Sequence, residues 1–574
     1  MTRRLALVAA MLLACGLVFA WPIIDPWLTY PIVREAKPAY LVTMTDPTFG
    51  TDRTRITGDN GTLISWTGSS TVSYWSNGRP HYSKTQPLDS SGQYLLMDMH
   101  DGDESAAGAF LLDATSYLPI KPLSDCAGAG DAFPGNDYRW SPDPNFPHTL
   151  VGASGTLLYV FDPVDCHLDR SWTLTGWSID GIGAGEGNLT DDGRYVLLTH
   201  STQIRVVDLN PYDPNNSRIG PVTDTAPCGL LNSSGLTDCD IDNASINHSG
   251  HYAVVMVNDL ARVYDADLGT LVLTPHVYDS GIPECTLWSV GHPTGVNPAT
   301  GSIFSLAHAD TGPGGWSGDF IVGQKRSWCP NPPDGNPQSP TVGSVVGVDL
   351  GTGAVSIGLT LPRASGGPAY DDKQEAYSHH ISLRNIDRPG WAYVSCYPVQ
   401  DPNTNYLSSD PDPAKRRRYE DEMIAVKLDG SGQVERLGRT HSLTSVTGVC
   451  TGADCGHAPP IYGVCTKGLI GKSDCCSASD CAHGSYRSEK HCVPLRDGVR
   501  VICASNWLLD CLTCDPNAFV AIDGAGNPTW QLDVQAYVFD SAALRTVPYN
   551  PTGGGRQIWV IEAALWVLAL EAAV

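Results

Sequence analysis

One layout recurs along most of this chain: a short polar-flanked strand, a turn ending in Gly, an apolar strand, and a further apolar strand often closing on Asp. It is seen in "QPLDSSGQYLLMDM" from residue 86, "RWSPDPNFPHTLVGASGTLLYVFD" from 139, "GNLTDDGRYVLLTHSTQIRVVDL" from 187, "DIDNASINHSGHYAVVMVNDLARVYDADL" from 240 and "HPTGVNPATGSIFSLAHA" from 292. These starts are 53, 48, 53 and 52 residues apart. Two more copies, "HHISLRNIDRPGWAYVS" from 379 and "HCVPLRDGVRVICASNW" from 491, follow insertions rich in Pro and Gly or in Cys. A supersecondary unit repeated at a fixed period buries its apolar face only against copies of itself. Period-2 strands with Gly turns, seven times at about fifty residues, predict an all-β fold. The expected architecture is a seven-bladed β-propeller over residues 40–541, with a disulfide-rich insertion at 450–490 near the last blade. Ring closure removes exposed strand edges, and the N-terminal strands "PAYLVTM" and "TRIT" are placed to supply it by pairing with the last unit.

The remainder of the sequence fits a secreted or periplasmic chain. Residues 1–20 carry Arg3 and Arg4, an apolar run and Val18-Phe19-Ala20, the pattern of a signal peptide. "LLAC" ending at Cys15 is the alternative, a lipoprotein box. Of the 18 Cys, ten fall between Cys450 and Cys514, where few apolar residues are available to build a core; in an exported chain this is a disulfide framework. A net charge of −25 with no evident basic patch argues against nucleic acid, whose phosphates need a basic surface. The tail 542–574 is apolar from Ile558 but carries Glu562 and Glu571, too short and too charged for a stable membrane span, and has no assigned role. Asn-x-Ser/Thr sites stand at Asn60, Asn188, Asn215, Asn232, Asn243 and Asn247.

Register singles out three histidines. His292 leads to Gly301, His380 to Gly390 and His491 to Gly498, each ahead of the turn in its unit. Residues that lead into inner strands surround one axis, so these imidazoles are expected to converge at one mouth of the channel. His379 is expected to face away from His380, because neighbouring strand residues face opposite sides. Three imidazoles suit a divalent cation or an anionic ligand; the alternative is that each fixes neighbouring backbone. His379 and His441 are reserve candidates.

The Asp/Ser-Gly-apolar turn resembles the repeat of Tol-type propellers and of oligogalacturonate lyases, across most of residues 80–541. "HHISLRNIDRPGWAYVS", "RTHSLTS" at 439–445 and "SEKHCVPLRDGVRVICASNW" at 488–507 look closer to secreted seven-bladed propellers that include polysaccharide lyases. That resemblance implies a divalent metal ion (Mn, Zn or Ca) held by His292, His380 and His491, with no counterpart here of the family's glutamine. It also implies β-elimination on an acidic polysaccharide. Such chemistry needs a base for the C5 proton, a cation beside the carboxylate and an acid for the leaving oxygen; the candidates are His441, Arg384 and Tyr393 in that order. A non-catalytic glycan- or protein-binding propeller is the other function class the sequence leaves open, since fold does not determine function.

Overall fold

The computed structural model describes most of residues 35–541; the longer stretches outside the described residues are 1–29, 224–240, 274–308, 325–344, 360–379, 397–418, 447–485, 508–519 and 542–574. Among the described residues seven antiparallel sheets of three or more strands follow one another along the chain, beside three two-stranded ribbons. Four-stranded sheets span Asp137–Thr173, Gly181–Thr223, Ile241–Leu273, Asp310–Leu359 and His380–Arg439, and form blades two to six. Blade one consists of Tyr94–His100, Ala106–Asp113 and Pro119–Pro122, with its inner run pairing only through bridges at Arg79–Asp98 and Leu88–Leu95. Blade seven takes Cys492–Pro494, Arg500–Ser505 and Gln535–Asp540 from the C-terminal part, then Asp52–Arg55 and Thr43–Thr45 from the N-terminal part. The expected closure is therefore present, with Asp52 opposite Asp540 and Arg55 opposite Tyr537.

Seven interfaces hold the ring together, and each has its own apolar cluster. Leu111 and Leu150 join blades one and two, Leu158 and Val196 two and three, Leu197 and Ala253 three and four, and Val254 and Ile321 four and five. Val322 and Ile381 join five and six, Met423 and Cys503 six and seven, and Ile502 and Leu95 close seven onto one. Each buried Val, Leu, Ile or Met side chain among them contributes roughly 1.5–3 kcal/mol by leaving water. Alternation along each strand serves both neighbours: Ile381 packs toward blade five while His380 and Ser382 turn the other way.

The repeated turn has a common physical basis. Asp89, Thr190 and Asn247 each accept a hydrogen bond from the backbone N–H of the tyrosine five residues on, Tyr94 at 2.9 Å, Tyr195 at 3.0 Å and Tyr252 at 2.8 Å. The intervening Gly92, Gly193 and Gly250 have φ of 76°, 72° and 82°, the left-handed region where a side chain is strained. This is why the Gly of the repeat is periodic. The turns also contact the next blade, as in His248 Nε2 to Asp319 Oδ1 at 2.7 Å and His148 Nδ1 to Asp89 Oδ2 at 2.9 Å.

Two disulfides lie among the described residues. Cys492–Cys503 crosses the first two strands of blade seven, so these two of the ten clustered cysteines belong to the blade and not to the insertion. Cys126–Cys166 ties the end of blade one to the outer hairpin of blade two. Residues 450–485, the signal region with Cys15, and the tail lie outside the described residues. No helix among the described residues is long and apolar enough to cross a membrane. Of the six Asn-x-Ser/Thr sites, Asn188, Asn243 and Asn247 are buried in the blades and so closed to a modifying enzyme.

The sequence-derived start of unit five needs one correction. The inner strand of blade five is Asp310–Pro313, not the segment that follows His292. The run "SIFSLA", on which that start was read, lies outside the described residues. Asp310 therefore takes the leading position that His380 holds in blade six. His292 itself, like His379, lies outside the described residues.

Candidate functional site

The inner run of blade one does not follow the sheet between its two bridges. Residues 80–86 leave the ladder and bulge toward the axis, and residues 184–188 of blade three do the same between the pairs at Ile182 and Leu189. The two bulges meet: Lys84 Nζ is 2.6 Å from Glu186 Oε2, with the lysine side chain 3% exposed. Blade two lies between these blades in the ring, so this contact passes across the channel. Gly183 makes the second bulge possible. Its φ is 57°, and a Cβ there would fall 1.7 Å from the carbonyl oxygen of Ala244. Arg139 of blade two caps the bulge by donating to the carbonyl oxygens of Gly187 at 2.6 Å and Gly185 at 2.7 Å.

Tyr82 on the blade-one bulge reaches the other side of the axis. Its hydroxyl lies 3.1 Å from His380 Nε2. The rings of His380 and His491 are 4.7 Å apart at 38°, and Tyr82 meets His491 edge-on at 4.7 Å and His380 at 5.4 Å. Three rings from three successive blades thus form one packed group where the inner strands begin, with Lys84 Nζ 5.6 Å from the Tyr82 ring centroid. His380 and His491 are both buried.

Beside this group His81 sits between two carboxylates, Nδ1 2.5 Å from Asp98 Oδ2 and Nε2 3.5 Å from Asp137 Oδ1. Burial opposes a charge on this ring, but Asp98 and Asp137 outweigh it and push its pKa up to about 9. Burial would likewise raise Asp137; Arg139 and His81 instead hold it at about 2. Tyr138 donates to Asp98 Oδ1 at 2.7 Å, completing the network between blades one and two.

The other sequence-derived candidates do not join this group. Arg384 follows the inner strand of blade six and lies about 13 Å along the chain from His380, at about 3.3 Å per strand residue. It is buried against Asp310, donating from Nε at 3.1 Å and from Nη2 at 3.2 Å. Tyr393 is buried between blades six and seven, its hydroxyl donating to the Gly498 carbonyl and accepting from Arg388 Nη1 at 3.1 Å. His441 follows the outer strand of blade six. Its ring stacks on Trp507 at 4.5 Å, and its Nε2 accepts from Arg53 Nη1 at 3.0 Å. The expected meeting of His441, Arg384 and Tyr393 at one mouth does not occur, because each is drawn into a different contact between blades.

His292, the third histidine of the expected cation site, lies outside the described residues. Among the described residues no third His, Cys, Asp or Glu donor joins His380 and His491 at ligand range; the group that does cluster is Glu35, Asp46 and His441, with donor atoms within 4.8 Å of one another. Arg53 already fills that group, bonded to Glu35 and 3.6 Å from Asp46 Oδ2. A guanidinium there supplies the positive charge a metal would bring.

Sequence reasoning missed Tyr82, Lys84, Glu186 and Asp310. The segment "RPHYSKTQP" carried a signal in retrospect: polar and aromatic residues between two prolines, where the other units begin with a strand. No family model matches the chain, and no curated protein does. Solved structures share its outline at a TM-score of 0.36. They include one described as the "Crystal Structure of Mitotic Checkpoint Complex" (10% identity, covering 85% of this chain and 95% of that one). Another is the "Crystal structure of RRP9 WD40 repeats" (8% identity, 81% and 96%). A third is the "Kuenenia stuttgartiensis Hydrazine Synthase" (10% identity, 78% and 97%). The fold assignment stands on the seven sheets and their interfaces alone.

Proposed function

We propose that this protein is an exported, non-catalytic propeller that binds a glycan or protein partner at its channel. The observation that carries the reading is the state of the three groups a β-elimination would need: Arg384, Tyr393 and His441 are buried in separate contacts, and each is engaged by groups of the protein itself. Residues that act in one transition state must converge within hydrogen-bond reach of the reacting atoms. The disulfides Cys126–Cys166 and Cys492–Cys503 support export, since such bonds persist in oxidising compartments.

One observation favours the alternative, a polysaccharide lyase acting on uronate-containing glycans. Tyr82 and His380 form a hydrogen-bonded pair with His491 packed on both, and a phenol beside an imidazole can pass a proton to a leaving oxygen. Incubation with pectic, ulvan and alginate oligomers, following the absorbance of the unsaturated product, separates the two. The binding reading expects no product together with saturable binding of a glycan or protein. Turnover that falls about 100-fold or more in Tyr82→Phe would replace it with the lyase.

A further inference from the structure

Where the inner strands end, at the mouth opposite His380 and His491, a shallow recess, partly open to solvent, is walled by residues of five blades. Three of them are Arg139, Arg384 and Arg496, and no Asp or Glu lines it. In a chain with a net charge of −25 this local excess of donors is unusual.

The hydrogen bonds show which donors are still available. Arg139 is consumed: Nε goes to Gly187 O, Nη1 to Asp137 and Tyr138 O, and Nη2 to Gly185 O and Ile182 O. Arg384 spends Nε and Nη2 on Asp310 and Thr311 O, and no hydrogen bond among the described residues uses its Nη1. Arg496 gives Nη1 to Pro142 O at 3.1 Å and meets only an exposed carboxylate, Asp387, at 3.4 Å. Asn188, itself 5% exposed, has its Nδ2 buried with no partner. A buried N–H without an acceptor is costly to keep, and a ligand oxygen at this position would remove that cost.

The charges set the valence of the occupant. Asp137 balances Arg139 and Asp310 balances Arg384, whereas Asp387, with its side chain 58% exposed, offsets Arg496 weakly. About one positive charge is left over, which suits a monoanion better than a dianionic phosphate or sulfate. Leu88, Leu189 and Ile386 supply apolar wall. We propose that the recess binds a monocarboxylate, its oxygens held by Arg496, Arg384 Nη1 and Asn188 Nδ2 and its body lying against the apolar wall. This names the ligand class for the binding reading above and rests on it.

The test is calorimetric titration of the full chain with hexanoate and with glucuronate, beside the neutral hexanamide and glucose and beside inorganic sulfate and phosphate. At least one carboxylate binds, about tenfold or more tighter than its neutral counterpart, and more weakly as salt rises. Arg496→Gln lowers that affinity about tenfold or more while the thermal midpoint is unchanged, and Arg496→Lys retains part of it. Asn188→Asp, which sets a carboxylate against the ligand, also abolishes binding. The proposal is overturned if neither carboxylate binds, if the neutral compounds bind as well, if sulfate or phosphate binds more tightly than both carboxylates, or if Arg496→Gln changes nothing. Glycan or protein binding that persists without carboxylate binding rejects the ligand class alone. Release of unsaturated product from polysaccharide rejects the binding reading.

Discussion

Lys84 and Glu186 meet at 2.6 Å across the axis of the propeller, joining inner segments of blades that are not neighbours in the ring. The same blade-one bulge carries Tyr82, whose hydroxyl lies against His380 of blade six where the inner strands begin. Breaking a buried ion pair from one side leaves an uncompensated charge. Lys84→Met should therefore destabilise the fold by about 3–5 kcal/mol, and Lys84→Met combined with Glu186→Gln by clearly less. Denaturant unfolding of the two single variants and the double variant measures this as a coupling energy.

His81 makes stability pH-dependent in a defined direction. Its folded pKa, about 9, lies above the ordinary histidine value, so its contribution is fully present below pH of about 6.5 and is lost as pH rises through 9. Unfolding midpoints measured from pH 6 to 9.5, about the span of that titration, should fall more steeply in the parent than in His81→Gln. Parallel curves would show that Asp98 and Asp137 do not hold the ring charged.

Two glycines with similar backbone angles should respond differently to alanine. Gly92 has φ 76° and nothing within 4 Å of an added Cβ, so Gly92→Ala should cost about 1–2 kcal/mol of backbone strain. Gly183 has φ 57° and a Cβ there would collide with Ala244 O, a backbone atom that cannot swing away. Gly183→Ala should cost about 3 kcal/mol or more. Equal losses of thermal stability in the two variants would contradict the packing of the blade-three bulge on blade four.

The two disulfides should differ through the loops they close. Cys126–Cys166 spans 40 residues and Cys492–Cys503 spans 11, which corresponds to about 4 and about 3 kcal/mol in the chain-entropy account. Paired Cys→Ala variants, compared by guanidinium unfolding, should rank in that order.

The fold was legible because its determinants are local. Period-2 strands, a Gly that must take positive φ at each turn, and a side chain that caps the tyrosine N–H five residues on are all set within about ten residues, and they recur. Closure was legible too, since unpaired edges at the two ends of such a series have a partner only in each other. The start of the fifth blade was not legible, because composition does not fix register, and only pairing with Asp319–Gln324 identifies Asp310–Pro313 as the inner strand.

The site was legible only in part, for a reason of distance along the chain. Register placed His380 and His491 at the same end of adjacent inner strands, because blade order fixes that much. It had no means of showing that Tyr82, 298 residues from His380, would leave its sheet and pack between them. Nor did it show that Arg53, 388 residues from His441, would take that histidine's lone pair. Sequence by itself determined the repeat, the number of blades, the turn chemistry and the pairing of the two chain ends. Tertiary structure alone decided which polar side chains are spent on neighbouring blades and which still face a cavity, because each such partner belongs to a different blade and becomes a neighbour only when the ring closes.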